Sequence, residues 1–177
     1  MRTRVGYTGG TLKDPTYHNL GDHTESIQVD YDPAKATFDQ MLDLIWSCHN
    51  PCGSAWSRQY MSALFYAGEE QKKAILASKA RLEEKLGKPV KTAILPLATF
   101  YLAEDYHQKY ELRSTADLIK EFKAIFADEK DFLHSTAAAR VNGYLAGRGT
   151  KEQLRKEIDL LGLSADGKKR LQVYVTK

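Results

Sequence analysis

The opening stretch from Val5 to Pro33, VGYTGGTLKDPTYHNLGDHTESIQVDYDP, constrains the fold most. Val5 to Tyr7 is apolar enough to end a strand, and Gly9 with Gly10 frees the backbone for a turn with positive φ. Pro15, Asn19 and Gly21 keep the following segment irregular. Ile27, Val29 and Tyr31 then alternate with Ser26, Gln28 and Asp30, which is the period of a strand packed on one face. A polar loop held between two strands is a favoured place to build a site.

The remainder alternates helix and strand before turning helical. Thr37 with Gln40 reads as a capping box. Phe38, Met41, Leu42, Ile45 and Trp46 behind it form one apolar helix face, and the helix ends before Pro51. Tyr60 to Tyr66 is short and aromatic-rich and reads as a strand. Gly68 to Gly87 is expected as a helix with Ile75, Leu82 and Leu86 inward, Glu69 and Glu70 suiting its N-terminal end and Gly87 its left-handed stop. Lys91 to Leu95 is expected as a strand. Phe100 to Tyr110 is expected as a loop and a short helix. Ser114 is placed to cap a helix burying Leu118, Ile119, Phe122, Ile125 and Phe126. Thr150 and Gln153 form a second capping box before a helix with Leu154, Ile158 and Leu161 that stops at Gly162.

A chain of 177 residues fits one domain with a small appendage and buries a real core. No run of about 18 apolar residues is available to cross a membrane, and a basic Met1–Arg4 without an apolar stretch behind it does not read as a secretory signal. The net charge of +3 resides in the last 27 residues, with seven Lys or Arg against four Asp or Glu. No basic stripe carries base-reading residues, so nucleic acid is not an expected partner. Two cysteines, Cys48 and Cys52, are too few for a disulfide framework and suit a reducing compartment. A soluble, cytoplasmic protein is expected.

GYTGG, PTY, GDHTE and VDYDP, in this order and spacing, resemble the peptide methionine (S)-S-oxide reductases, the A-type methionine sulfoxide reductases. LDLIWSCHNP, RQYMSALFY and FYLAEDYHQKY continue the resemblance to about residue 110, and NGYLAG around Tyr144 resembles extended members. The resemblance implies a mixed α/β (α+β) fold, a two-layer split βαβ, ferredoxin-like sandwich. Its first strand and helix are expected to be missing here, leaving residues 1–111 as an incomplete reductase-like domain. Residues 112–177 are then a mostly helical extension packed on it. In the family the nucleophilic cysteine lies in a GCFWG motif one strand and one helix before GYTGG, whereas this sequence starts four residues before Val5. The expectation is a chain without the catalytic cysteine, a truncated or inactive copy. The alternative is a non-catalytic peptide-binding module derived from that fold.

Sulfoxide reduction needs a thiolate to attack sulfur and an acid to protonate the departing oxygen. The resemblance assigns the second part to Tyr17, Glu25 and Tyr60, with Tyr17, Tyr60 and Tyr144 as substrate-binding residues. A carboxyl group flanked by aromatic rings is held protonated long enough to donate. On the residues alone, Tyr60 also reads as a core strand residue, Tyr17 as a loop anchor and Glu25 as a solvated strand edge. The family's aspartate five residues before the tyrosine of its QYRSA motif is Ala55 here, and Leu145 stands where a recycling cysteine would follow Tyr144. No bound cofactor or metal is expected. An external thiol reductant, thioredoxin or dithiothreitol, is implied, with oxidised proteins or peptides and free methionine sulfoxide as partners of a monomer. Cys48 and Cys52 flank the C-terminal end of a helix, where the dipole disfavours a thiolate, and are expected to be buried and inert. With His49 alone they lack the second ligand pair of a zinc site, and His107 is expected to be structural.

Overall fold

The computed structural model describes residues 1–175. Helices and small sheets are mixed, in two compact units. One comprises residues 6–27 and 31–103; the other takes residues 1–5, 28–30 and 104–175.

β1 (Arg2–Thr8), β2 (Thr24–Asp30) and β5 (Tyr101–Leu102) form a three-stranded sheet in the order β2-β1-β5. β1 and β5 pair antiparallel, Gly6 opposite Leu102 and Tyr7 opposite Tyr101. β3 (Ala63–Tyr66) and β4 (Ala93–Pro96) pair in parallel with Leu64 opposite Ile94. A parallel pair needs a long crossover, and α2 (Glu69–Leu86) supplies it. α1 (Phe38–Ser47) starts at the expected capping box: Thr37 Oγ1 accepts from Gln40 N, and Gln40 Oε1 accepts from Thr37 N. Leu42, Trp46, Leu64, Ile75 and Val90 are the buried core here.

Several sequence expectations move. The alternation in β2 is inverted: Thr24 is buried while Ile27 is 62% exposed, and Tyr31 lies beyond the strand. The strand expected from Tyr60 begins only at Ala63, and Tyr60 lies in the turn before it. Phe100–Tyr110 contributes a two-residue strand in addition to a 3-10 turn at Asp105–His107. In α2 the inward stripe is Ile75, Ser78 and Leu82, and Leu86, at the helix end, is exposed. Ser78 belongs there because its Oγ accepts the Trp46 indole N–H at 2.8 Å. Cys48, expected to be buried, is exposed at the C-cap of α1, and Cys52 is half-buried. Leu42 and Trp46, four residues apart, take the inward face of α1, and a position two residues past Trp46 falls on the other side.

The helical unit contains α3 (Tyr110–Arg113), α4 (Ala116–Ile125), α5 (Glu129–His134), α6 (Thr136–Leu145), α7 (Lys151–Glu157) and α8 (Ala165–Val175). The second capping box forms as expected, at Thr150 and Gln153. Ser114 instead ends α3, and Thr115 precedes α4. Leu118, Ile119 and Phe122 are buried while Ile125 is exposed. Gln108, only 1% exposed, mimics a strand partner: its amide accepts from Val5 N at 3.0 Å and donates to Val5 O at 2.8 Å. Lys109 is buried in a left-handed conformation with φ 54. Its ammonium donates to Thr3, and burial pushes its pKa down to about 8. Among the described residues no helix is long and apolar enough to cross a membrane.

The Trp46–Ser78 bond yields a test. Ser78→Ala leaves a buried indole N–H without its acceptor and should destabilise the protein by about 1–3 kcal/mol, whereas adding Trp46→Phe to it should cost little beyond the lost ring area. Urea unfolding of the two single variants and the double variant measures this, and strict additivity would refute the coupling.

Candidate active site

The loop from Gly9 to His23 carries Tyr17 on a tight turn in which Thr16 and Asn19 bond each other's backbone, 3.2 and 3.0 Å. Two adjacent side chains anchor the loop. Asp22 accepts from the backbone N–H of Thr11 at 2.7 Å and of Leu12 at 3.3 Å, and from the Thr11 hydroxyl at 3.0 Å. Buried His23 accepts from Gly10 N at Nδ1, 3.2 Å, so its Nε2–H donates to Leu12 O at 2.8 Å. Gly9 has φ 81, and a Cβ on it would lie 2.7 Å from the Phe65 ring. A Cβ on Gly10 would lie 2.5 Å from Asp22 Oδ1. Both glycines are needed for the loop to sit this close.

The segment Arg58–Tyr60 ties that loop to β2. Arg58 donates to the carbonyls of Asp22 at 3.1 Å and Gly9 at 2.9 Å. Thr24 Oγ1 donates to Arg58 O, and Glu25 N to Gln59 O, each at 3.0 Å. With both backbones fixed, three predicted side chains meet. The Tyr17 and Tyr60 hydroxyls lie 3.5 Å apart. The Gln59 amide bridges to Glu25, donating to its Oε1 at 2.6 Å and to the Tyr60 hydroxyl at 3.1 Å. The Tyr17 hydroxyl beside it, with the Glu25 carboxylate, pushes Tyr60 up to about 12. Tyr60 therefore remains an O–H donor throughout the neutral range. Glu25 itself is exposed, its carboxyl group beside the Gln59 amide and the Tyr60 phenol. The site is open to solvent on this side.

Tyr144 lies in the helical unit, 6% exposed, where its hydroxyl donates to Glu157 Oε1 at 2.6 Å and burial pushes it up to about 12. His49 is held between Ile45 O at 2.9 Å and Thr92 Oγ1 at 2.8 Å. Among the described residues no three of His, Cys, Asp and Glu gather to hold a metal ion. Sequence reasoning missed Asp22, Arg58 and Gln59. Asp22 stood in view inside GDHTE, and Arg58 and Gln59 inside RQYMS. It also passed over Trp56, which sits in SAWS and is 82% exposed, its ring 5.0 Å from that of Tyr60.

The sequence profile of the family described as peptide methionine sulfoxide reductase matches residues 1–139. A peptide methionine sulfoxide reductase of Drosophila melanogaster is 40% identical over 166 residues, 93% of this chain and 66% of the relative. Peptide methionine sulfoxide reductase A5 of Arabidopsis thaliana is 38% identical, over 90% of this chain and 64% of the relative. The chain thus spans a little under two thirds of the length of these curated relatives. Among solved structures, reduced Mxr1 from Saccharomyces cerevisiae matches with a TM-score of 0.60 and 28% identity, over 64% of this chain and 71% of that one. Methionine sulfoxide reductase A of Corynebacterium diphtheriae matches with a TM-score of 0.54 and 30% identity, over 64% and 63%.

The loop anchor has a pH signature. The Thr11 N–H, first among its donors, holds the Asp22 carboxyl down to about 2 from an ordinary 3.8. A folded value below the unfolded one means that the carboxylate's stabilising contribution is complete above about pH 4 and is lost as pH falls through about 2. Wild type should therefore exceed Asp22→Asn in urea midpoint at neutral pH, and the gap should narrow towards pH 2. A gap independent of pH would show that the charge on Asp22 contributes nothing.

Proposed function

The chain belongs to the peptide methionine sulfoxide reductase family, and from that premise we propose that residues 1–177 carry the oxygen-binding part of a thiol-dependent peptide-methionine (S)-S-oxide reductase site. The observation that carries this reading is the meeting of Tyr17, Tyr60 and the Gln59–Glu25 pair. A sulfoxide oxygen carries high negative charge density and is best held by O–H and N–H donors. Tyr60, kept protonated, and Tyr17 would bind it, while the Glu25 carboxyl group would deliver the proton as the S–O bond breaks.

In the reaction a cysteine thiolate attacks the sulfoxide sulfur, the oxygen passes to the cysteine as a sulfenic acid, and methionine leaves as the thioether. A second thiol then condenses with the sulfenic acid, releasing water and forming a disulfide. Two thiols are consumed for each sulfoxide, which is why an external reductant such as thioredoxin or dithiothreitol belongs to the proposal. The family reading gives the attacking thiolate to a GCFWG cysteine rather than to Cys48 or Cys52. Cys48 is exposed at the C-terminal end of α1, and Cys52 is half-buried in the turn beyond it. Oxidised proteins and peptides in a reducing, cytoplasmic setting are the proposed substrates.

Binding tests the oxygen site without requiring turnover. N-acetyl-methionine N-methylamide S-sulfoxide, titrated by NMR, should bind more tightly than the R epimer. Tyr60→Phe and Glu25→Gln should each weaken the S epimer roughly three- to tenfold, as for the loss of one hydrogen bond. Equal binding of both epimers, or indifference to both substitutions, would overturn the reading. In protein carrying the GCFWG cysteine and supplied with dithiothreitol, Glu25→Gln should slow reduction about 10²- to 10⁴-fold, far more than Cys52→Ala. The reverse ranking would move the chemistry to the cysteines.

A further inference from the structure

We propose that Trp56 is a specificity-determining residue that makes this a site for methionine sulfoxide within a peptide, its indole face holding an apolar side chain next to the oxidised residue. The inference rests on the oxygen-binding reading of Tyr17, Glu25 and Tyr60 and extends it outward. Trp56 is 82% exposed, and a tryptophan offers 150–250 Å² of mostly apolar surface, in the general range for aromatic side chains. Single exposed apolar residues need no explanation. Trp56 differs because its ring is placed against the site: centroids 5.0 Å from Tyr60, planes 33° apart. The hydroxyl of that same Tyr60 ring faces Tyr17 and the Gln59 amide.

The residues that follow Trp56 are fixed as well. Ser57 Oγ accepts from Tyr60 N at 3.4 Å, and the next two residues, Arg58 and Gln59, are the ones bonded to β2. The indole is therefore presented on an anchored segment rather than a free loop tip, which lowers the entropy lost when a ligand covers it. A single sulfoxide side chain has its oxygen end matched to the hydroxyls and the amide. The broad ring beyond Tyr60 offers additional apolar surface for a neighbouring residue, which a free amino acid lacks.

The test compares free methionine S-sulfoxide with the blocked dipeptides Met(O)-Ala and Met(O)-Leu, titrated by NMR against wild type, Trp56→Ala, Trp56→Phe and Tyr60→Phe. Wild type should prefer Met(O)-Leu over Met(O)-Ala by roughly tenfold, a range in which aromatic contacts commonly act. Trp56→Ala should collapse that ratio towards one, while Trp56→Phe should restore most of it. Tyr60→Phe should weaken all three ligands together. Trp56 emission should also shift to the blue with Met(O)-Leu and not with the free amino acid. A preference for Leu undiminished in Trp56→Ala overturns this inference while leaving the oxygen-binding reading intact. Failure of wild type to bind any of the sulfoxides overturns both.

Discussion

Everything at the candidate site depends on side chains that satisfy the backbone of one irregular loop. Regular structure pairs its own N–H and C=O groups, whereas a loop such as Gly9–His23 must borrow partners. Asp22 and His23 lend theirs to Gly10, Thr11 and Leu12, and Arg58 caps the carbonyls of Gly9 and Asp22 from outside. Tyr17 is held near Tyr60 because these anchors fix the loop, and Gln59 links Tyr60 to Glu25 because its own backbone is bonded to β2. Of these groups, the Arg58 guanidinium acts through geometry, its two bonds going to carbonyls of separate residues.

The polar bridge also changes what each partner can do. A phenol placed among another phenol, an amide and a carboxylate is a committed proton donor rather than a titrating group, consistent with the upward push on Tyr60. Glu25, the carboxylate of this group, stays in contact with solvent.

How much of this could be read from the sequence follows from the range of the interactions. Capping boxes involve residues three apart, so Thr37–Gln40 and Thr150–Gln153 were legible and formed as expected. Convergence of Tyr17, Glu25 and Tyr60 is nonlocal, and only the family motifs pointed to it. Periodicity misled where it assumes a covered face: Ile27, Leu86 and Ile125 fit their patterns and are exposed. Ser78 breaks the apolar pattern and is buried, because the Trp46 indole needs an acceptor in the core. Gln59 was missed because glutamine carries no signature of its own. Its importance comes from Glu25, thirty-four positions away in sequence.

Gly9 and Gly10 also decide where such a sequence can diverge. Any side chain at Gly9 meets the Phe65 ring, and any at Gly10 meets Asp22, so these two positions are closed to drift unless their neighbours change with them. Lys13, exposed on the same loop, carries no such restriction, whereas His18 sets its ring edge-on to Tyr17 at 5.4 Å. Variation within a lineage descending from this sequence would therefore collect at the outer tip of the loop, altering what approaches the site while the backbone that holds Tyr17 is inherited unchanged.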